Sequence, residues 1–424
     1  MQSDKSTYSA SFFLSKLEII PSSSFVLSND IPVLMIHNDD YRLIRLDICL
    51  SSLHDSSFRP LSAISTAHTL FKGTYGHNQK EISEIIDFYG AYYDLSVEKD
   101  YTTFSFYFPK KASRNIFSLL QEVFSMPNFP EEEIQLFKEK QKQELAIKLG
   151  RNSYIGFKSF FQTLFEGHPY GRYPEYESYD AIERKDICDF FASFYHAANM
   201  RIFMAGDIDN ALISLLTKTF ETIPKGVLPV FNSPIPMLKT PQHKIISKND
   251  SLQSNIIIGK PLFNFAHEDW KKFSVLNLVL GGYFGSRLMS EIREKSGLAY
   301  GIYSYVSSFK ETGVFYITAQ VNGDKTHQAL EEIYKVLDDM LTTPITHQEL
   351  NLVKNFYYGS LLRDFDGLFS VLDRYIDISD YGMSIEFWHE LLESIQQTSS
   401  DDIIRLAKNY LQTSSMVEVV VGNK

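Results

Sequence analysis

Two stretches of the chain, 207 residues apart, obey one pattern. S-E-I-I-D-F-Y-G-A-Y-Y begins at Ser83 and S-E-I-R-E-K-S-G-L-A-Y begins at Ser290, and both fit S-E-I-x4-G-x2-Y. Two further pairs follow in the same order, each 216 residues apart. F-P-E-E-E-I from Phe129 faces I-T-H-Q-E-L from Ile345, and M-R-I-F-M-A-G-D from Met200 faces M-V-E-V-V-V-G-N from Met416. Ordered matches at a near-constant offset mark a tandem duplication of a unit of about 200 residues. A chain built this way folds as two like domains, each with its own core.

The join is visible in the prolines. Pro224, Pro229, Pro234, Pro236 and Pro241 crowd between residues 224 and 241. Proline removes a backbone donor and favours turns or extended chain, so this stretch reads as a linker. The expected division is a first domain over 1–223, a linker over 224–241 and a second domain over 242–424. Within each unit, aromatic and β-branched runs such as YTTFSFYF (101–108) and GVFYITAQV (313–321) suit strands. IFSLLQEVFSM (116–126) and HQALEEIYKVLDDML (327–341) space their apolar residues as helices do. Residues 131–148 read as an amphipathic helix entered through Pro130. The expected class is α+β, with helices packed on a mainly antiparallel sheet.

Composition narrows the function. A net charge of −11 argues against a nucleic-acid backbone partner, which needs clustered Lys and Arg. The two cysteines, Cys49 and Cys188, are too few for a disulfide framework or a cysteine zinc site and read as buried thiols. No run approaches the ~20 apolar residues of a membrane span. The first twenty residues lack a leader-like apolar core, so the expected compartment is the cytoplasm.

Two stretches invite a metal. W-H-E-L-L-E at 388–393 nearly matches the H-E-x-x-H zinc helix, but its fifth position is Glu393, so it reads as an ordinary amphipathic helix. ISTAHTLFKGT at 64–74 carries His68. At helical spacing Leu61, Ile64, His68 and Phe71 share a face, as do Ile134, Phe137 and Glu144 further on. An inward carboxylate needs a partner. On this evidence alone, His68 and Glu144 are either remnants of a metal site or polar residues bonded to each other or to backbone.

The combination resembles the M16 metallopeptidases, the family of pitrilysin, insulinase and the mitochondrial processing peptidase. His68-Thr69-Leu70-Phe71-Lys72-Gly73-Thr74 matches the family's zinc helix from the second histidine of H-x-x-E-H onward. Glu144 falls where the family has its third ligand. Gly167-His168-Pro169-Tyr170-Gly171-Arg172 resembles another family segment, and the stretches from Gly281 to Leu288 and from Arg293 to Tyr300 resemble the second-domain signature. The resemblance implies two tandem domains of the LuxS/M16 metallopeptidase-like fold. It also exposes a departure: Ile64 stands at the first zinc histidine and Ala67 at the general base. Isoleucine cannot ligate zinc, and alanine cannot accept a proton from a metal-bound water. With only the vestigial His68 and Glu144, no zinc is expected on this chain.

Arg293 and Tyr300 match the family pair that holds the scissile carbonyl, and both side chains can donate to a developing oxyanion. In the first repeat Tyr93 occupies the tyrosine position, but Ile86 replaces the arginine. The resemblance therefore implies a non-catalytic, substrate-positioning subunit. A catalytically competent M16 sister subunit would hold the zinc, and the substrate would be a peptide or unfolded polypeptide. Two alternatives stay open: a structural or binding protein with no part in proteolysis, and a self-sufficient metallopeptidase with an atypical site.

Overall fold

The computed structural model describes residues 17–53, 57–229, 231, 233–236, 240–248 and 251–422. Residues 1–16, most of the stretch on which the expected lack of a leader rests, and the linker positions 230, 232 and 237–239 lie outside the described residues. The chain divides into two compact units. One holds the described residues between 20 and 236; the other holds those between 240 and 422 together with residues 17–19. In that second unit Leu17 is buried, and its carbonyl oxygen meets the His389 imidazole at 3.1 Å.

The N-terminal unit holds a six-stranded sheet. Its strands are β1 (Ser23–Val26), β2 (Pro32–His37), β3 (Leu43–Ser51), β4 (Tyr92–Val97), β5 (Tyr101–Pro109) and β6 (Met200–Gly206), in the order β1-β2-β6-β3-β5-β4. The alternation in YTTFSFYFP works as strand chemistry demands: Thr102, Phe104, Phe106 and Phe108 are buried and their neighbours are not. Helices α1 (Ser62–Thr69), α2 (Gln79–Phe88), α3 (Ser113–Ser125), α4 (Glu131–Leu149), α5 (Asn152–Leu164), α6 (Tyr176–Ala181), α7 (Arg184–Phe194) and α8 (Asn210–Phe220) complete the unit. Ile116, Leu120 and Val123 of α3 join Phe104, Phe108 and Ile202 of the sheet in one core. Helix α4 begins one residue after Pro130, which serves as its N-cap rather than its first turn.

The C-terminal unit repeats the design. Strands β7 (Gln242–Ser247), β8 (Gln253–Leu262), β9 (Ala299–Ser308), β10 (Gly313–Asn322) and β11 (Val417–Gly422) stand in the order β7-β11-β8-β10-β9. Apart from the extra edge strand β1, this is the same sheet. β2 and β6 are parallel, as are β7 and β11, and every other neighbouring pair is antiparallel. The matched glycines Gly90 and Gly297 adopt the same left-handed conformation, with φ of 62° and 60°. Each stops a helical segment just before an edge strand, where a side chain would be strained. Helices α9 (Trp270–Asn277), α10 (Thr326–Thr342), α11 (His347–Asp364), α12 (Leu368–Ser379), α13 (Glu386–Gln397) and α14 (Ser400–Tyr410) pack with this sheet. The W-H-E-L-L-E stretch lies in α13, which buries Phe387, Trp388, Leu391 and Leu392.

Two expectations need correction. Cys49 is buried, where its sulfur accepts from the Thr103 hydroxyl, but Cys188 is only half-buried; neither forms a disulfide. The stripe Leu61–Ile64–His68–Phe71 is not a face of α1. Leu61 caps the helix in the left-handed region (φ 72°), and Phe71 lies in a following 3-10 turn. The buried face is instead Ala63, Thr66, Ala67 and Leu70, with Ile64 and His68 only half-buried. Small residues at 63, 66 and 67 let α1 lie close to α7, which the larger side chains would hold away. Among the described residues, no helix is long and apolar enough to cross a membrane.

Candidate functional site

Helices α1 and α4 meet where the sequence places the vestigial ligands. The His68 ring stacks on Phe137 of α4, with centroids 5.4 Å apart and planes 28° apart. Glu144 lies two turns further along α4 and is close enough to act electrostatically on His68. Glu144 is otherwise engaged: Gln141 donates to its carboxylate at 3.2 Å, and Lys140 approaches at 4.0 Å. Burial pushes His68 below its ordinary value of 6.5, Glu144 opposes that shift, and Lys140, Lys72 and Lys148 reinforce it. The imidazole is therefore neutral near pH 7 and part of a small aromatic cluster.

A zinc ion does not fit this arrangement. Ile64 lies one helical turn before His68, where a second imidazole would be needed, and Ala67 is 2% exposed with nothing to donate or accept. Among the described residues, no group of three His, Cys, Asp or Glu side chains could hold a metal ion. Three protein ligands with one open position define a catalytic zinc site, and two are present here.

The depressed His68 value has a measurable consequence. A base whose folded pKa lies below its unfolded one stabilises the fold above the unfolded value, and that contribution is lost as pH falls through the folded value. The His68 ring protons should titrate below pH 6.5 by NMR. In urea melts, His68→Gln should flatten the loss of stability between pH 6.5 and the folded value. An unshifted titration would contradict the burial described.

The second candidate pair is placed differently. Arg293 lies in a π-helical turn, Met289–Lys295, and Tyr300 on β9 at the edge of its sheet. Arg293 is exposed, its guanidinium 5.4 Å from the Phe284 ring centroid, and among the described residues it pairs with no carboxylate. Tyr300 is 57% exposed, and its hydroxyl donates to Asn322 Oδ1 at 3.0 Å. The register explains that exposure. Gly301 pairs with Gln320 but Ala299 with Val321, so Tyr300 is the extra residue of a β-bulge. Bulges re-aim a side chain. The equivalent Tyr93 lies in an unbroken register opposite Phe106 and stacks on Phe71 at 4.6 Å. One repeat packs its tyrosine into the core; the other presents it to solvent.

The remaining signature residues hold structure. Arg287 makes two hydrogen bonds to the Glu349 carboxylate, at 2.8 and 3.0 Å, clipping the turn before Met289 to α11. The Gly167–Arg172 segment is a brace whose middle, His168–Tyr170, is buried. His168 Nδ1 accepts from the Tyr170 amide, and Tyr170, fully buried, donates to Asp100 at 2.6 Å. Gly171 has no room for a side chain, since a Cβ would lie 2.4 Å from the Phe165 carbonyl oxygen. Tyr170→Phe removes a hydrogen bond to a carboxylate and should cost about 1.5–3 kcal/mol in urea denaturation. A change below about 0.5 kcal/mol would show that this bond braces nothing.

One residue escaped the sequence reading. Lys99, in the turn between β4 and β5, is pushed down to about 8 by burial. Its ammonium donates to the Arg172 carbonyl at 2.9 Å and lies 4.5 Å from the Tyr173 ring centroid. Nothing in the local pattern E-K-D marks it as buried.

Comparison with known proteins agrees with this duplicated architecture. Residues 35–171 match the model of the insulinase family, peptidase M16, and residues 181–357 match that of the peptidase M16 inactive domain. An uncharacterized zinc protease YmxG of Bacillus subtilis is 24% identical over 356 residues, covering 82% of this chain and 86% of that protein. A Helicobacter pylori protein described as a non-peptidase homolog, YmxG, is 25% identical over 324 residues, covering 75% of this chain and 74% of its own length. Among solved structures, a peptidase M16 inactive domain from Pseudomonas fluorescens superposes with a TM-score of 0.88 at 21% identity, covering 95% of this chain and 98% of that one. A protease from Helicobacter pylori superposes equally well, also at 0.88, with 19% identity and coverage of 96% and 100%. With two units of like sheet topology and matches to family models over residues 35–171 and 181–357, the chain belongs to the M16 peptidase family.

Proposed function

We propose that this chain is the non-catalytic, substrate-positioning subunit of a two-chain M16 zinc endopeptidase. A sister M16 subunit supplies the complete H-x-x-E-H set and the zinc, and the substrate is a peptide or unfolded polypeptide. The carrying observation is the contrast between the two candidate sites. The zinc site has been filled in, with Ile64 and Ala67 where ligand and base would stand. The Arg293/Tyr300 pair has been kept accessible, with an arginine lacking a carboxylate partner and a tyrosine turned outward by a bulge. The exposed Arg293 guanidinium has donors to spare, and the Tyr300 hydroxyl, which donates to Asn322, can turn to a substrate; both suit recognition of a developing oxyanion. The pair can donate hydrogen bonds to a carbonyl oxygen; it cannot itself activate water.

The test is reconstitution. Peptidase activity is measured for this chain alone, for a zinc-bearing M16 homologue alone, and for the two mixed. The expected result is activity only in the mixture. Full activity from the homologue alone would favour a structural role for this chain. Activity from this chain alone, with zinc in it, would favour a self-sufficient enzyme. A cytoplasmic location belongs to the same proposal; among the described residues no helix is long and apolar enough to cross a membrane.

A further inference from the structure

The strands beside the two edge strands β4 and β9 end alike. β5 stops at Pro109 and β10 at Asn322, and each runs straight into a 3-10 turn, Lys110–Ala112 or Gly323–Lys325. The backbones match closely, with φ and ψ of −62° and 139° at Pro109 and of −65° and 140° at Asn322. A proline therefore serves this turn as well as an asparagine does. Asparagine before a helical turn ordinarily accepts from an amide of that turn, and Asn322 makes no such bond. Its side-chain amide is engaged elsewhere.

That engagement is with Tyr300, whose phenol donates to Asn322 Oδ1 at 3.0 Å. The two repeats change together here. Where the strand ends in Pro109, the tyrosine of that unit, Tyr93, packs on Phe71. Where it ends in Asn322, the tyrosine is the bulged Tyr300, 57% exposed. An exposed ring without an acceptor samples several rotamers, and ordering it on binding costs free energy. Asn322 removes part of that cost by fixing the ring beforehand.

A phenol proton held by Asn322 Oδ1 is not free for a substrate, and the asparagine amide resolves that conflict. It carries an acceptor on one side and two donors on the other. Its terminal torsion is soft and roughly two-fold, so the amide can turn over and offer Nδ2 to the phenol oxygen. The ring then keeps its place while the phenol proton is released outward. We infer that Asn322 is a positioning residue for Tyr300, holding the phenol through Oδ1 at rest and through Nδ2 when the phenol donates to a developing oxyanion. This role presupposes the one proposed for Arg293 and Tyr300.

Kinetics of the reconstituted pair test it. Asn322→Asp keeps the shape but can only accept, so it should retain the phenol proton and lower kcat about tenfold, the extra hold of a charged acceptor over a neutral one. KM should stay nearly unchanged, since the lost interaction belongs to the transition state. Asn322→Gln keeps both faces of the amide and should turn over faster than Asn322→Asp. In a Tyr300→Phe background, Asn322→Asp should change turnover by less than about twofold, because the two residues act as one. In the chain alone, labelled with ¹⁵N-asparagine, Tyr300→Phe should shift the Asn322 side-chain amide resonances. Full turnover in Asn322→Asp beside a loss in Tyr300→Phe would overturn the role of Asn322 and leave that of Tyr300 standing. Full turnover in Tyr300→Phe would overturn both. Unmoved Asn322 resonances, additive effects of the two substitutions, or Asn322→Gln no faster than Asn322→Asp would likewise exclude the positioning role.

Discussion

Arg293→Ala should lower peptide cleavage by the reconstituted two-subunit enzyme by about a hundredfold or more, the usual cost of deleting one oxyanion donor. Tyr300→Phe, which removes one hydroxyl and keeps the ring, should cost a comparable factor. The loss should fall on kcat as well as kcat/KM, since an interaction made only in the transition state lowers both. A pair that merely grips the substrate would raise KM and leave kcat alone. Neither substitution should disturb the fold. Arg293 is exposed beside the Phe284 ring, and Tyr300 is exposed with its hydroxyl bonded to Asn322. Arg287 provides the contrast. It shares the same signature but is tied through two hydrogen bonds to Glu349, so Arg287→Ala should lower the melting temperature before it touches catalysis. Steady-state kinetics with a quenched fluorescent peptide, alongside thermal melts, separates these cases. Unchanged turnover with Arg293→Ala and Tyr300→Phe would sink the positioning role and leave a structural one.

The duplication was legible because repetition survives where chemistry does not. The helix-stopping glycines, the linked strand runs after Met200 and Met416, and the alternation in β5 and β10 all report backbone geometry, which both units share. The shared strand order and the single parallel pair in each sheet needed coordinates, because pairing partners lie far apart in sequence. Where the resemblance places the zinc helix, the expectation rested on residue identity: Ile64 offers no ligand and Ala67 no base, whatever the packing. Periodicity misled at the same place. It drew Leu61 and Phe71 onto α1, whereas the chain enters and leaves that helix through non-helical conformations, and small Ala and Thr residues face the core. The different fates of Tyr93 and Tyr300 were invisible because a bulge is a property of register, not composition. Lys99 was missed for a related reason. Its burial is made by Phe161, Tyr173 and the Arg172 carbonyl, more than sixty residues away in sequence.

Ile64→His should convert a chain with no stoichiometric zinc into one that binds about one ion, since three protein ligands define such a site. Position 64 lies one helical turn before His68, so both imidazoles would leave the same face of α1. Helix α4 already brings Glu144 within electrostatic reach of His68. Two competing interactions must yield: the Gln141 bond to Glu144, and the stacking of His68 on Phe137. Both are modest beside the free energy of a zinc–ligand set. Metal analysis after dialysis gives the stoichiometry. A melt with zinc at a hundred times its dissociation constant should show about 2.7 kcal/mol of added stability in the variant and none in the unaltered chain. No peptidase activity is expected of this variant, because Ala67 still offers no base. Adding Ala67→Glu places a carboxylate at a position only 2% exposed, so that double variant should melt early without zinc and recover with it. Stoichiometric zinc in the unaltered chain would mean that His68 and Glu144 suffice together with a further ligand. No zinc in Ile64→His would mean that α1 and α4 have drifted from ligating geometry as well as lost a residue, and that the site is beyond repair by one substitution.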